Sequence, residues 1–493
     1  MNLPAALINV STTAAAKPAI FWGEQQVTYG QLLGQSTALA QHLQSNLGVF
    51  PGQRVGLWLK NCPDFVPALF GILAAGGVVV PINNFLKANE VTHIIRDAQI
   101  DLILTDQSMS DAMAALRTHC PNVRDLTMEK LPQLQAASAE FKPAPRGEAD
   151  LAVIIYTSGT TGRPKGAMLS HGNLLANVES CRIVLAAVDL DRFAVVLPMF
   201  HSFMLTVGVL LPVLVGGSMV LVKSLHPPKN IIMEIIQHQA TILPCIPQFF
   251  RALAHATLPP GLPLRICISG GAPLPIEILR EFNQRMPVPL LEGYGLSEAS
   301  PVVSMNPLKG PWKEGSIGLP IPGVEVSVQD DSGAILPPTK TGEICVRGPN
   351  VMLGYWNQPD ETGKALRNGW LLTGDIGHQD WDGYFFITDR KKDMLLVNGI
   401  NVYPREIEEV LYQFPGVREV AVIGVPDSRR GEQPMAFVAA NEGAVLEEKS
   451  MLEFVRERLA DYKVPRKVVF MPTLPRNATG KILKTSLRQQ AQS

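Results

Sequence analysis

Tyr156-Thr-Ser-Gly-Thr-Thr-Gly-Arg-Pro-Lys-Gly166 is the stretch on which the reading of this chain turns. The apolar run at 151–156 has the character of a buried strand, and Ser170 is a natural N-cap for a helical stretch at 173–188. The loop is therefore expected to join a strand to a helix. Gly159, Gly162 and Gly166 allow sharp turns that bring backbone amides close to an anion. Tyr156, Thr157, Ser158, Thr160 and Thr161 add neutral donors, and Lys165 adds a point charge suited to phosphate. A polar surface turn has no need of Ser, Thr, Gly and Lys at this density, so the stretch reads as a phosphate-binding loop. It is not the Walker loop, because Arg163-Pro164 separate Gly162 from the lysine.

A chain of 493 residues implies about three compact units. Its 43 basic and 44 acidic residues nearly cancel, so charge gives no reason to expect nucleic acid or anionic lipid as a partner. The six cysteines are dispersed, with no pair at metal-ligand spacing, which suits reduced thiols in a cytoplasmic setting. The N-terminus lacks the basic and apolar regions of a secretory signal, and the C-terminus carries no lipidation or peroxisomal tripeptide. Apolar runs at 65–82 and 203–222 approach the length of a membrane span. Each breaks at a Gly-Gly pair, Gly76-Gly77 and Gly216-Gly217, and resumes with a β-like segment. Helix, tight turn and buried strand is the better reading, and no transmembrane segment is expected. Peripheral membrane contact stays open.

Outward from the loop, helices and strands alternate. Helices are expected at 28–47, 63–75, 89–97, 231–238, 247–255 and 275–285. Strands are expected at 53–59, 102–105, 193–197, 240–243, 264–269 and 289–292. A polar stretch at 126–150 reads as a surface connection. Glycine-rich turns end the strands before Gly270-Gly271-Ala272-Pro273 and Gly293-Tyr294-Gly295. In an open parallel sheet, turns at the carboxyl ends of strands line a ligand cleft. Residues 312–386 hold short apolar runs between Pro and Gly, as in a small β-rich subdomain. The charged Asp389-Arg-Lys-Lys-Asp393 is the expected linker to an α+β unit, whose first helix opens at Pro404 and buries Ile407, Val410, Leu411 and Phe414. The expected fold class is α/β. A large N-terminal domain (1–391) of two doubly wound α/β subdomains and a β-rich one precedes a smaller mobile C-terminal domain (392–493).

The phosphate loop is followed in order by Tyr294-Gly-Leu-Ser-Glu298, Thr373-Gly-Asp375, Asp389-Arg390, residues 399–406 and the late Gly480-Lys481. In this set and order, over nearly its whole length, the chain resembles the adenylate-forming superfamily of acyl-CoA synthetases, luciferases and peptide-synthetase adenylation domains. The resemblance implies two half-reactions. A carboxylate attacks the α-phosphate of ATP, giving an acyl-adenylate and pyrophosphate. A thiol, usually of coenzyme A, then displaces AMP. In-line attack between anions needs positioning and charge neutralisation more than a covalent catalyst.

The resemblance also implies residue roles. Thr157, Ser158, Gly159, Thr160, Thr161, Gly162 and Lys165 would hold the phosphates. Glu298 would hold Mg²⁺, with Thr157 as a second ligand. Tyr294, within Glu292-Gly293-Tyr294-Gly295, would pack on adenine opposite Gly271, Ala272 and Pro273. Asp375 would accept from the ribose hydroxyls beside Arg390, and Lys481 would reach both carboxylate and α-phosphate. The family hinge lies seven positions before a glycine, which from Gly399 gives Lys392. Rotation there would bring Gly399 and Ile400 to the thiol's tunnel.

Relatives that activate amino acids carry an Asp where this chain has His201, and no Asp or Glu occurs from Met199 to Met233. A buried ammonium without a partner is costly, so amino acids are poor candidates. His201, Gly270 and Gly271 are expected to line an acyl pocket, and a medium- or long-chain fatty acid is the expected substrate. An aryl acid, as in coumarate ligases, and transfer to an acyl carrier protein are the alternatives. No insertion of the kind that marks fatty acyl-AMP ligases is evident, which favours coenzyme A.

Overall fold

Short β-branched runs build the scaffold. Val78–Pro81 and Leu102–Thr105 are buried at every position, as parallel strands covered on both faces must be. The computed structural model describes all residues except 135–136, 138–140, 159–163, 226–228, 257–260, 428–430, 478–479 and 493. Among the described residues one seven-stranded sheet runs in the order 354–355, 164–170, 151–158, 78–81, 54–57, 102–105 and 124–127. A second, nine-stranded sheet runs 319–320, 302–305, 290–295, 266–269, 242–245, 192–195, 218–221, 18–22 and 25–28. Both are parallel at the centre and antiparallel at one or both edges. A smaller antiparallel sheet joins 325–329, 342–347, 370–379, 366–367 and 385–390. The fourth sheet, 395–397, 400–402, 417–427, 431–440 and 468–470, belongs to the smaller C-terminal domain.

The two apolar runs behave as helix, turn and strand. Phe65–Ala74 is buried on every side and leads through Gly76, at φ +86°, into Val78–Pro81. The second run begins as a π-helix, Met204–Leu210, continues as Leu211–Leu214, and passes Gly216 into Ser218–Leu221. Among the described residues no helix is long and apolar enough to cross a membrane. The helix Pro404–Tyr412 buries Ile407 and Leu411, with Val410 and Phe414 packed at the edge of the same core.

The phosphate loop corrects one expectation. It joins strand to strand: Pro164–Ser170 pairs antiparallel with Leu151–Ser158, from Leu151 opposite Ser170 to Ser158 opposite Pro164. Pro164 stands at the first position of its strand, where a missing N–H is tolerated, and Ala167 and Leu169 are buried. The helix His171–Val184 follows that second strand. Ser170 does cap it, accepting from Asn173 N at 3.0 Å while Asn173 Oδ1 accepts from Ser170 N at 2.9 Å.

The linker is also shorter than expected. Asp389 and Arg390 end the strand Phe385–Arg390, paired with Ile376 and Asp375, so the connection to Leu395–Val397 begins at Lys391. The hairpin Pro18–Trp22 with Gln25–Thr28, and the last helix Lys484–Gln492, were not foreseen from the sequence.

Candidate active site

The hairpin register sets the side expected to meet phosphate. Thr157 lies opposite Lys165, and directly opposed residues share a face of the sheet. Lys165 is 8% exposed, with its Nζ 5.2 Å from the centre of the Tyr355 ring and paired with the carboxylate of Glu361. The Tyr355 hydroxyl donates to Glu298 Oε1 at 2.8 Å. Lys165, Tyr355, Glu298 and Glu361 thus form one connected group. Hydrogen bonds from Lys165 and Lys364 pull the Glu361 carboxyl down to about 2. Tyr156 turns elsewhere: its hydroxyl donates to Asp97 Oδ2 at 2.5 Å and is not free for a phosphate. Gly159, Thr160, Thr161 and Gly162 lie outside the described residues, as does the side chain of Ser158.

Among the described residues no three His, Cys, Asp or Glu side chains gather to hold a metal. Glu298 supplies one carboxylate and Thr157 one hydroxyl on the lysine's face. That donor set fits Mg²⁺, which uses one or two carboxylates and completes its shell with water and phosphate oxygens.

The side expected to meet the nucleotide is built on two strand ends. Gly271, after Ile266–Ser269, has φ +77°, a conformation that glycine adopts without strain. A Cβ on Gly270 would lie 3.1 Å from the Phe203 ring. Ala272 and Pro273 continue that turn. Leu290–Gly295 carries Glu292, Gly293, Tyr294 and Gly295, and it changes partner midway, from the parallel Ile266–Ser269 to the antiparallel Val302–Met305. Gly295 is required there, since a Cβ would fall 2.1 Å from the Pro301 carbonyl oxygen. The Tyr294 hydroxyl donates to Asp375 Oδ2 at 2.5 Å, and Arg390 Nε lies 3.1 Å from Asp375 Oδ1. Burial, then the charge of Asp375, holds the Tyr294 hydroxyl well above its ordinary value. Glu292 Oε1 accepts from Leu274 N at 3.1 Å, and burial pushes its carboxyl up to about 7 against the charge of Arg405.

The C-terminal domain contributes Lys481. Gly480, at φ +81°, lies so close to Ile246 that a Cβ would meet its Cδ1 at 2.4 Å. Asn477 fixes the turn, its Oδ1 accepting from Lys481 N at 2.9 Å. Burial, then the charge of Arg390, lowers the Lys481 ammonium to about 8, while Asp375 opposes the shift. His201 feels the same lysine. Burial first and Lys481 second drop its imidazole to about 4, and Nδ1 accepts from Phe203 N at 3.3 Å. The ring is therefore neutral with its proton on Nε2. Lys481, Asp375, Arg390 and His201 converge on one cleft.

Family models match the chain on both sides of this cleft. One, described as AMP-binding enzyme, matches residues 9–356, and the AMP-binding enzyme C-terminal domain matches 406–481. The chain belongs to the AMP-binding enzyme family. It is 36% identical over 534 residues to a long-chain-fatty-acid–CoA ligase of Bacillus subtilis, covering 98% of this chain and 94% of that protein. It is 38% identical over 482 residues to a feruloyl-CoA synthase of Amycolatopsis sp, covering 96% and 95%. The ATP-bound structure of MatB from Rhodopseudomonas palustris superposes with a TM-score of 0.90 at 33% identity, covering 99% of each chain.

Within this AMP-binding enzyme the hinge candidate borders the cleft, where its charge acts on the Lys481 ammonium and burial, then the charge of Arg390, lowers its own, while the tunnel candidates sit on an exposed hairpin. Lys392 sits in the exposed turn after Phe385–Arg390. Gly399 and Ile400 are at the tip of the hairpin Leu395–Val397 with Ile400–Val402, and Ile400 is 47% exposed. Sequence reasoning missed Tyr355 and Glu361, whose contacts with Glu298 and Lys165 span 57 and 196 residues. It also missed the hydroxyl pair of Ser202 and Ser297, 2.9 Å apart, which ties the His201 turn to the Glu298 loop. No periodicity or spacing signals such contacts.

Proposed function

We propose that this chain is an AMP-forming acid–thiol ligase that converts a medium- or long-chain fatty acid, ATP and coenzyme A into acyl-CoA, AMP and pyrophosphate. The observation that carries the reading is Lys481, brought from the C-terminal domain into the cleft of Asp375, Arg390 and His201. A cation there neutralises charge where a carboxylate meets the α-phosphate. Lys165 and the hairpin donors bind the outer phosphates, Asp375 accepts from the ribose, and Tyr294 with residues 271–273 bounds the base. Glu298 and Thr157 would hold Mg²⁺, which when bound would supply charge neutralisation for the phosphates. Neutral His201 donates through Nε2 to the carboxylate or gates its pocket.

The pocket side supports an apolar acid. The π-helix Met204–Leu210 is buried throughout, and Phe203 packs on Gly270. The long-chain-fatty-acid ligase relative points the same way. An aryl acid is the second reading, favoured by the similarity to feruloyl-CoA synthase. Coenzyme A is the proposed acceptor in preference to an acyl carrier protein. Lys392 is the proposed hinge between domains of residues 1–391 and 392–493, turning Lys481 out and Gly399 and Ile400 in. The cytoplasm is the proposed compartment, where the six free thiols would stay reduced.

A panel of fatty, aryl and amino acids, assayed for pyrophosphate release with and without coenzyme A, tests this reading. Long-chain acids should give the highest kcat/KM, and coenzyme A should convert them to thioester. Preference for aryl acids would favour the second reading. Release without thioester would move the acceptor to a carrier protein, and no release with any acid would refute the proposal.

A further inference from the structure

Lys165 does not stand free at the mouth of the phosphate hairpin. Its ammonium is paired with Glu361, and the two side chains are only 10% and 26% exposed. The pairing follows from how the Pro359–Ala365 helix is mounted. Gly354–Tyr355 extends the hairpin sheet, with Tyr355 opposite Ala167, and Trp356 N donates to the Gly166 carbonyl at 2.8 Å. Thr362 Oγ1 then accepts from Tyr355 N at 2.8 Å, tying the helix to that strand. Glu361, one position earlier, is thereby carried to Lys165. Its other oxygen takes Lys364 Nζ at 2.6 Å, a side chain 73% exposed.

A lysine ammonium has three donors and no acceptor, so a carboxylate and a phosphate compete for the same N–H groups. A cation this sheltered also needs an anion, because leaving it unpaired costs hydration that nothing replaces. We propose that Glu361 is a positioning residue, an internal stand-in for the nucleotide phosphates that holds Lys165 at the hairpin and yields it when ATP binds. The proposal rests on the reading of Lys165 as a phosphate ligand. Binding is then weakened by the fraction of molecules in which Glu361 keeps the lysine. The same competition helps pyrophosphate leave, since Glu361 can retake Lys165 as the product loosens.

Calorimetric binding of ATP and of pyrophosphate, each with Mg²⁺, tests this with the full chain. Glu361→Gln should bind both about three- to tenfold more tightly, the range expected for loss of a partly sheltered competing ion pair. Glu361→Asp, which keeps the carboxylate, should stay near wild type. Lys364→Gln, which leaves Glu361 to Lys165 alone, should bind more weakly. In steady state Glu361→Gln should lower KM for ATP, and it should lower kcat wherever pyrophosphate release limits turnover. The gain should vanish in a Lys165→Met background. If Lys165→Met alone leaves ATP affinity unchanged, the phosphate role of Lys165 fails. If Lys165→Met weakens ATP while Glu361→Gln leaves it unchanged or weaker, the stand-in fails and the phosphate role survives.

Discussion

In the proposed first half-reaction Lys481 would neutralise charge between carboxylate and α-phosphate, and its environment sets when it can do so. An ammonium drawn from water into the cleft loses hydration, and Arg390 repels it, so its proton affinity falls to about 8. The charged form is the useful one. In the free enzyme that form is full below pH 8 and is lost as pH rises through it. The pH profile of kcat/KM, with pyrophosphate release as the readout, should therefore fall above about pH 8. Lys481→Arg, which keeps its charge at that pH, should lose the alkaline limb whatever its absolute rate; persistence of the limb would place it on another group. His201 makes the opposite statement. Its imidazole titrates near 4, well below the ordinary histidine range, so it stays neutral across neutral pH. A limb near pH 6.5 that disappears in His201→Asn would contradict this.

At the scale of elements, the turns position the site. The end of Ile266–Ser269 delivers Gly270 against the Phe203 ring, where a Cβ would approach to 3.1 Å. Gly270→Val should crowd that ring and raise KM for a long-chain acid about tenfold or more. Calorimetry should find ATP affinity changed much less, and equal loss of both would mean that the whole cleft had moved. The elements themselves were unevenly legible. Leu102–Thr105 and Pro247–His255 appear where the sequence puts them, because apolar runs bounded by polar residues or proline define both. Pro164–Ser170 was hidden. Pro164 and Gly166 are poor strand residues, and the strand is stabilised by partners on both sides, Leu151–Ser158 and the distant Gly354–Tyr355. The site divides in the same way. Tyr294, Glu298, Asp375, Arg390 and Lys481 lie in short motifs that the sequence displays. The pairing of Glu361 with Lys165 depends on a helix mounted from another strand, and local pattern carries no trace of it.

At the scale of the molecule, polar contacts among the described residues help hold the C-terminal domain against the N-terminal one. Arg251 Nη1 donates to the Arg418 carbonyl at 2.5 Å, Ile276 N to Glu409 Oε2 at 3.4 Å, and Arg405 N to Asp389 Oδ2 at 2.8 Å. These hold Lys481 in the cleft while Gly399 and Ile400 stay exposed. On the proposed hinge reading, rotation about Lys392 would exchange Lys481 for Gly399 and Ile400 in the second half-reaction. Lys392→Pro, which fixes φ at the proposed hinge, should spare pyrophosphate release and slow thioester formation at least about tenfold. Equal loss in both half-reactions would put the pivot elsewhere.

On the proposed mechanism the acid is activated through a mixed anhydride with AMP. If a carboxylate oxygen attacks the α-phosphorus, that oxygen stays on phosphorus when the thiol displaces AMP. Turnover of an ¹⁸O-labelled long-chain acid with ATP and coenzyme A, followed by mass spectrometry of the products, decides the matter. The account predicts one ¹⁸O in the phosphate of AMP and none in pyrophosphate. Unlabelled AMP, or cleavage of ATP to ADP and labelled phosphate, would contradict it.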